Sequence, residues 1–258
     1  MLVLRSLLFN VAFYVNTILL LIGLIPLLVL PRRTFLRGIQ TWGRSSIWLL
    51  RVLAGTRLEF RGLEKIPPGG LLVASKHQSI AETFALLTVF DDPTFVLKRE
   101  LQWIPFFGWY TMKAAQVPVD RSAGGAALSD MNERARKEAA RGRQIIIFPE
   151  GTRRPAGAPA AYKYGVVHLY QTLGVPCLPV ALDTGVFWPR RSFLRRPGTM
   201  VIEFLDPIPP GMPRDAFFGE VKSRIETACD RLRAEECREP EGEGRVGGAG
   251  DAPGPQER

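Results

Sequence analysis

A histidine and a carboxylate lie five residues apart in the segment SKHQSIAET, residues 75–83. The chain has only two histidines, and His77 is one of them. Neutral imidazole can accept a proton near pH 7, and a carboxylate behind the ring fixes its tautomer and stabilises its charged form. The segment therefore offers His77 as a general base and Glu82 as the group that orients it.

Glu82 also has a structural interpretation. Ser79 and Glu82 have the spacing of a capping box, in which the glutamate reaches back to the backbone N–H of the capping serine. A histidine in a loop is also more often structural than catalytic. From these residues alone, the capping role and the orienting role of Glu82 are equally supported, and both stay open.

A second polar group follows the apolar run in IIIFPEGTRR. An acid and an arginine, Glu150 and Arg153, come directly after the predicted strand, and the arginine has a planar fork of donors suited to phosphate. The segment is not a Walker loop, because the pattern GxxxxGK[ST] is missing from it. The alternative is a surface turn with a local Glu–Arg pair.

Two further cations end shorter predicted strands, Lys98 in PTFVLKRE and Arg121 in VPVDRS. Each is a weak signal alone, because a basic residue at a strand end is commonly a solvated charge. The sequence has no GxSxG elbow for a nucleophilic serine. Its two histidines and three scattered cysteines do not have the spacing of metal ligands, and free thiols fit a reducing cytoplasm. His168 has apolar neighbours typical of a packed helix.

The elements that must position these residues alternate between strand and helix patterns. Strands are predicted in GLLVASKH, PTFVLKRE, QVPVD, RQIIIFPEG, VPCLPVAL and TMVIEFLD, and helices at about 79–90, in LSDMNERARKEAARG, in YKYGVVHLYQTLG and at about 214–237. This alternation predicts an α/β fold with a mixed, largely parallel sheet flanked by helices. Ligands bind at the carboxyl ends of strands in such sheets, where His77, Lys98 and Glu150 would lie.

The first 58 residues form a basic and apolar leader. They hold seven arginines and no acid, so that of the net charge of +9 only +2 falls on the remaining 200 residues. Residues 6–31 carry no charge, and such a run is long enough to span a bilayer or embed in it. A cleaved signal peptide would be shorter, with small residues at its end. We predict membrane-associated helices at 1–55, a catalytic domain at 56–237 and a disordered tail at 238–258.

The arginines also indicate an orientation. More of them follow the apolar run than precede it, which places the main domain on the cytoplasmic side of the membrane. Arg37, Arg44 and Arg51, spaced seven apart, would share one helix face and could contact anionic head groups. An ordinary packed amphipathic helix is the alternative. A basic leader on a nearly neutral domain is not typical of nucleic-acid binding.

The order of the motifs carries a resemblance. KHQSIAET, VPVDR, FPEGTR and VPCLPVAL, within about residues 70–185, resemble the four successive motifs of the glycerolipid acyltransferase family, the 1-acylglycerol-3-phosphate acyltransferases. The resemblance implies acyl transfer from a thioester of coenzyme A or acyl carrier protein to the free hydroxyl of lysophosphatidate, without cofactor or metal. The family has aspartate where this chain has Glu82. The resemblance favours the orienting role for that carboxylate.

The resemblance also implies roles for individual residues. His77 would take the proton from the acceptor hydroxyl, and backbone N–H groups near a helix start would stabilise the oxyanion. The acceptor-binding motifs correspond to Arg121, Glu150, Gly151, Thr152 and Arg153, to which Lys98 is added from its place at a strand end. The arginines would hold the phosphate.

The implied partners are membrane lipids, lysophosphatidate and the thioester donor, at the cell inner membrane of a bacterium. One alternative is the same chemistry on another lysolipid, such as a lyso-ornithine lipid or a lysophospholipid. The other is a non-catalytic membrane-binding protein of the same fold. Two segments could take part: the aromatic LQWIPFFGWY could line the acyl path, enter the interface or pack in the core, and the basic WPRRSFLRRP could meet anionic lipid or an acidic carrier protein.

Overall fold

The computed structural model of the chain describes residues 1–120 and 124–236, which form one seven-stranded sheet with helices on both faces. The strands are β1 Thr56–Arg61, β2 Leu71–Ser75, β3 Pro93–Lys98, β4 Val117–Val119, β5 Gln144–Ile147, β6 Cys177–Leu182 and β7 Gly198–Phe204. Their order across the sheet is β1-β7-β6-β2-β5-β3-β4. Neighbours run parallel except β6 and β7, which are antiparallel. The expected mixed, largely parallel sheet is confirmed.

The helices are α1 Leu2–Gly23, α2 Arg32–Leu49, α3 Ala81–Val89, α4 Phe107–Lys113, α5 Gly124–Ala139, α6 Gly165–Leu173, α7 Thr184–Phe187 and α8 Arg214–Glu236. On β2, Leu71 and Val73 pack toward α3, whereas Leu72 and Ala74 pack toward α5, α6 and α8. Strand side chains alternate between the two faces, so a strand covered on both sides has a continuous apolar sequence. This is why GLLVAS predicts a buried strand.

Helix α1 lies along the folded domain. Phe9 and Phe13 are buried, with ring centroids 5.1 and 5.2 Å from that of Trp188, and Phe13 also packs on Phe84 of α3. The opposite face is apolar and exposed, and the helix is long and apolar enough to cross a membrane. Buried side chains from both sides of the predicted boundary at residue 55 therefore pack in one cluster.

Strand β1 and helices α4 and α7 were not predicted from the sequence. In TRLEFR, Leu58 and Phe60 alternate with charged residues, which is the pattern of a strand with one buried face. Helix α3 begins at Ala81 rather than at residue 79, because the preceding backbone turns to bond with a side chain of the site described below. The predicted tail, residues 238–258, lies outside the described residues.

Candidate active site

His77 lies just past the carboxyl end of β2, where the chain turns toward α3. Its Nδ1 is 2.8 Å from Oε1 of Glu82, in the first turn of α3. The ring of Phe148, just past β5, stacks on the imidazole with centroids 3.9 Å apart. Because Nδ1 is engaged by the carboxylate, Nε2 is the ring nitrogen that remains for a substrate. The His77 side chain is 17% exposed, so the imidazole can be reached from outside.

The carboxylate of Glu82 is fully buried and bonds to the backbone as well as to the imidazole. Its Oε1 accepts the N–H of Gln78 at 2.8 Å and of Ser79 at 2.7 Å, and its Oε2 accepts the hydroxyl of Thr184 at 2.8 Å. The bond from the Ser79 N–H is the one that a capping box predicts, although the helix begins at Ala81 and its N-cap is Ile80. The capping and orienting roles are therefore compatible, because one carboxylate makes both sets of bonds.

Backbone N–H groups near a helix start were expected to stabilise the oxyanion, without a choice of helix. At the start of α3, the N–H groups of Gln78 and Ser79 already donate to Glu82. The N–H of Ala81 donates to the hydroxyl oxygen of Ser79. The start of α3 is therefore committed to holding the histidine turn. Residues 151–153 line the same cavity as His77.

Helix α7 supports the histidine turn from the end of β6. The N–H of Gly185 donates to Oε1 of Gln78 at 2.9 Å, beside the bond from Thr184 to Glu82. A Cβ at Gly185 would lie 2.8 Å from Cβ of Gln78, so this approach requires glycine. This support was not predicted, because nothing in the residue types of α7 links it to a turn 107 positions away.

The turn after β5 directs its side chains to two sides. Gly151 has φ of 68°, a left-handed conformation that glycine adopts without strain. Thr152 and Arg153 line the cavity beside His77. The Glu150 carboxylate is fully buried on the other side, 3.0 Å from Nζ of Lys76. This carboxylate forms an internal ion pair and is not among the described residues that line the cavity, and its place among the substrate-binding residues stays a prediction.

The cavity beside His77 has a volume of about 880 Å³, within the ordinary range of ligand sites. It extends from the histidine toward α1, α2 and α4, where its lining is apolar and includes Leu20, Leu24, Leu36, Ile39 and Phe107. A histidine–carboxylate pair thus adjoins an apolar space between the sheet and the N-terminal helices.

Among the described residues, four cationic side chains line this cavity: Lys98, Lys163, Arg153 and Arg190. Lys98 lies where it was predicted and pairs with Glu100 at 2.7 Å while half exposed. Arg121, predicted with them, lies outside the described residues. The lining combines positive charge with the apolar region, which suits a ligand that has a phosphate and a hydrocarbon chain.

Lys163 and Arg190 were not predicted as site residues. Nη1 of Arg190 lies 3.3 Å from the Thr152 hydroxyl oxygen and 3.3 Å from the Arg153 carbonyl oxygen, so it also holds the turn after β5. Its position in the basic segment WPRRSFLRRP was the only sequence signal. Lys163 has no comparable signal in its neighbours.

Exposure decides between the interpretations left open for the aromatic and basic segments. Trp103 is 75% and Trp109 is 52% exposed, so core packing is wrong for them, while Phe107 lines the cavity.

In the basic segment, Arg195 is buried with its guanidinium 4.4 Å above the ring of Trp188, and burial lowers its pKa to about 10. This arginine is therefore not available to lipid or to a carrier protein.

His168 is half-buried on α6, with its ring centroid 5.7 Å from that of Tyr164.

Cys177 and Cys229 are free and buried, and burial raises the pKa of the Cys229 thiol to about 12. Within residues 1–120 and 124–236, no three His, Cys, Asp or Glu side chains are grouped as a metal site requires. The expectation that no metal or cofactor is needed remains a prediction.

Comparison with known proteins gives three findings. A family model described as "Acyltransferase" matches residues 57–183. A 1-acyl-sn-glycerol-3-phosphate acyltransferase from Pseudomonas aeruginosa is 41% identical over 175 residues, which are 67% of this chain and 68% of that protein. A 1-acyl-sn-glycerol-3-phosphate acyltransferase alpha from Homo sapiens is 30% identical over 207 residues, 78% of this chain and 72% of that protein.

The fold also matches a solved structure. The crystal structure of the 1-acyl-sn-glycerophosphate (LPA) acyltransferase PlsC from Thermotoga maritima superposes with a TM-score of 0.76 at 24% identity, over 91% of this chain and 98% of that one. This likeness concerns the fold. The matched domain and the bacterial relative agree with the order of the four motifs. The chain therefore belongs to the glycerolipid acyltransferase family.

Proposed function

We propose that the protein is a membrane-bound 1-acyl-sn-glycerol-3-phosphate acyltransferase, which converts lysophosphatidate to phosphatidate. The observation that carries the proposal is the His77–Glu82 pair, which adjoins a cavity that combines cationic and apolar lining. Lysophosphatidate has the same division, with a phosphate at one end and an acyl chain at the other. The name of the Pseudomonas aeruginosa relative supports this acceptor.

In the proposed reaction, Nε2 of His77 takes the proton of the acceptor hydroxyl while its oxygen attacks the carbonyl carbon of the thioester. Glu82 stabilises the resulting imidazolium through Nδ1. The tetrahedral intermediate then collapses, the C–S bond breaks, and the imidazolium protonates the thiolate of coenzyme A or acyl carrier protein. One ester bond replaces one thioester bond, so the reaction requires no covalent enzyme intermediate, metal or cofactor.

The phosphate of the acceptor is assigned to the arginines. Arg153 lines the cavity beside His77 and offers paired donors to phosphate oxygens, with Lys98 and Arg121 as further ligands. Gly151 and Thr152 form the turn that carries Arg153. The apolar lining between α1, α2 and α4 would hold an acyl chain.

We place the enzyme at the bacterial inner membrane, with its catalytic domain on the cytoplasmic side. The exposed apolar face of α1 supports membrane association, and Arg37, Arg44 and Arg51 are all exposed on the neighbouring α2 and its extension. These arginines support the cytoplasmic orientation, because the anionic lipids of the cytoplasmic leaflet attract basic segments beside the membrane. Lysophosphatidate and phosphatidate both reside in the bilayer, so this location gives the site direct access to both.

The test is an acyltransferase assay with the purified full-length chain in detergent. Lysophosphatidate is offered with acyl-coenzyme A or with acyl carrier protein thioester, and phosphatidate is measured by mass spectrometry. Lyso-ornithine lipid and lysophosphatidylcholine serve as competing acceptors. We expect the highest kcat/KM with lysophosphatidate. Faster acylation of another lysolipid would show that this lysolipid, rather than lysophosphatidate, is the acceptor. No acylation of any acceptor by either donor would refute the proposal.

The two histidines of the chain provide a matched pair of variants. His77→Ala should abolish transfer, because no other described histidine lines the cavity. His168→Ala removes the same side chain from α6, away from that lining, and should leave turnover near that of the parent. A folded His77→Ala protein that retained normal turnover would disprove the mechanism.

A further inference from the structure

A largely buried ion cluster, in which the Glu226 side chain is 26% exposed, lies behind the histidine turn and outside the lining of the main cavity. Nζ of Lys76 is 2.7 Å from Oε1 of Glu226 and 3.0 Å from Oε1 of Glu150, and the Lys76 and Glu150 side chains are 2% and 0% exposed. The hydroxyl of Tyr162 donates to Glu226 at 2.8 Å. Burial opposes the ammonium charge, but the bonds to the two carboxylates raise the pKa of Lys76 overall. The lysine is therefore held as a cation.

The cluster joins three separate parts of the chain. Lys76 directly precedes His77, Glu150 lies in the turn after β5, and Glu226 lies on α8. Helix α8 follows the segment, residues 57–183, that the family model matches. A residue outside that segment is thus bonded to the neighbour of the proposed base.

The turn after β5 contacts the histidine turn at three points. Phe148 stacks on the His77 ring, Glu150 binds Lys76, and the N–H of Arg154 donates to the carbonyl oxygen of His77 at 2.8 Å. The stacking fixes the imidazole plane and the other two contacts fix the backbone that carries it. The position of the imidazole therefore depends on how well these two turns stay together.

We propose that Lys76 and Glu226 are positioning residues for His77, and that α8 acts on the reaction through them. This rests on the proposed acyl transfer. Lys76, Glu150 and Glu226 are not among the described residues that line the main cavity, so their effect reaches a substrate through the histidine turn. Arg153, in contrast, lines that cavity, where a substrate can contact it directly.

The charges make the arrangement sensitive to the loss of one member. Glu150 has one carboxylate oxygen, Oε2, without a hydrogen-bond partner among the described residues, so its other bonds have to hold it. If the Glu226 carboxylate is removed, the Lys76 ammonium keeps only its ion pair with Glu150. The Lys76 side chain can then shift from its position. A displacement of a catalytic group by about 1 Å can cost on the order of a hundredfold in rate.

The experiment compares two glutamates of α8. Glu226→Leu removes one of the two anchors of Lys76, and Glu220→Leu removes a half-exposed glutamate that pairs with Arg224 one turn away. We expect Glu226→Leu to lower kcat about tenfold or more while the donor KM changes less than about twofold. Glu220→Leu should match the parent in both. Glu226→Gln keeps an oxygen acceptor for Lys76, so its kcat should fall less than that of Glu226→Leu.

A second measurement does not depend on turnover. The chain has two histidines, so imidazole NMR signals of the protein in detergent can be assigned with His77→Ala and His168→Ala. In Glu226→Leu the His77 signals should shift, because the ring moves relative to Phe148, while the His168 signals stay in place. Neither set should shift in Glu220→Leu.

These measurements separate the two proposals. An inactive parent refutes the proposed function, while the NMR comparison still decides whether Glu226 positions His77. Parent kcat together with unshifted His77 signals in folded Glu226→Leu would overturn the positioning proposal. If Glu226→Leu does not fold, the same two results in Glu226→Gln overturn it.

Discussion

Glu82 connects the proposed base to the fold, because its carboxylate accepts bonds from His77, from the amides of Gln78 and Ser79 and from the hydroxyl of Thr184. Glutamine can keep the amide bonds through its carbonyl oxygen, and the threonine hydroxyl can turn to accept from the new NH₂ group. It cannot supply the charge that stabilises the imidazolium. We expect Glu82→Gln to lower kcat by on the order of a hundredfold, with little change in Tm.

Glu82→Asp is the control for this substitution. It keeps the charge and shortens the side chain by one methylene, so it should retain more turnover than Glu82→Gln. Turnover and thermal unfolding are measured on the same detergent preparations. Full activity in Glu82→Gln would mean that the carboxylate only holds the backbone and that His77 needs no anionic partner.

Asp183 links stability to pH. It is 3% exposed, accepts the N–H of Val201 at 2.8 Å, and burial raises its pKa from 3.8 to about 7. Between these values the folded chain keeps a proton that the unfolded chain has lost, so the free energy of unfolding falls as pH rises. From pH 5 to pH 7 this amounts to roughly 2 kcal/mol. Asp183→Asn has no carboxyl group at this position, so its Tm should fall less between pH 5 and pH 7 than that of the parent.

The matched control is Asp230→Asn. Asp183 and Asp230 both line a second cavity, but the Asp230 side chain is 66% exposed and pairs with Arg233. Its Tm should decline between pH 5 and pH 7 as steeply as that of the parent. Thermal unfolding of the three proteins at pH 5, 6 and 7 supplies the comparison. Equal slopes in all three would show that Asp183 is ionised in the folded chain at pH 5.

At the scale of helices and strands, continuous apolar runs identified the buried strands, including β2 and β5, and their ends located His77 and the turn after β5. β1 has only alternate apolar residues and an edge position, so its sequence signal was weaker. The direction of Glu150 could not be predicted, because it depends on a partner, Lys76, that is 74 positions away. The support from α7 likewise comes from a contact that exists only in the folded chain.

Helix α2 has an exposed basic stripe that should contribute to membrane binding. Arg37, Arg44 and, just past the helix, Arg51 are exposed, and Trp48 beside them is 61% exposed. Each arginine near an anionic surface contributes about 1 kcal/mol, which salt screens. The triple substitution of these arginines by glutamine should weaken flotation with phosphatidylglycerol vesicles and remove most of its salt dependence.

The control is a triple glutamine substitution of Arg134, Arg136 and Arg141, which are exposed on or just after α5 and pair with neighbouring acids. It changes the net charge equally. It should leave vesicle binding and its salt dependence unchanged. If both triple variants lose binding alike, overall charge rather than the α2 stripe governs the attachment.

For the whole molecule, contacts along α1 determine how it can meet a bilayer. Arg5 donates to the Leu53 carbonyl, Asn10 to the Phe193 carbonyl, and Tyr110 to the carbonyl of Leu21. The helix is thus bonded to the domain from its first turn to its last, so we expect it to embed in one leaflet without crossing. A protease-cleavable tag before Met1 should be cut from the same side of oriented membrane vesicles as a tag after Arg258.

Cleavage of the two tags from opposite sides would show that α1 leaves the domain and crosses the bilayer. Intact sealed vesicles and vesicles opened with detergent provide the reference for complete protection and complete access. The result also tests the assigned cytoplasmic orientation, since the tag after Arg258 reports the side on which the catalytic domain lies.

The position of β1 imposes an order on biosynthesis. Within the described chain β1 pairs only with β7, which begins at Gly198, roughly 140 residues after β1 ends at Arg61. At about 5 to 20 residues per second, a ribosome needs roughly 7 to 30 s to make the intervening chain. During that interval α1 and α2 are already outside the ribosome and can settle on the bilayer, while β1 has no strand to pair with. Attachment to the membrane can therefore precede closure of the sheet in every newly made molecule.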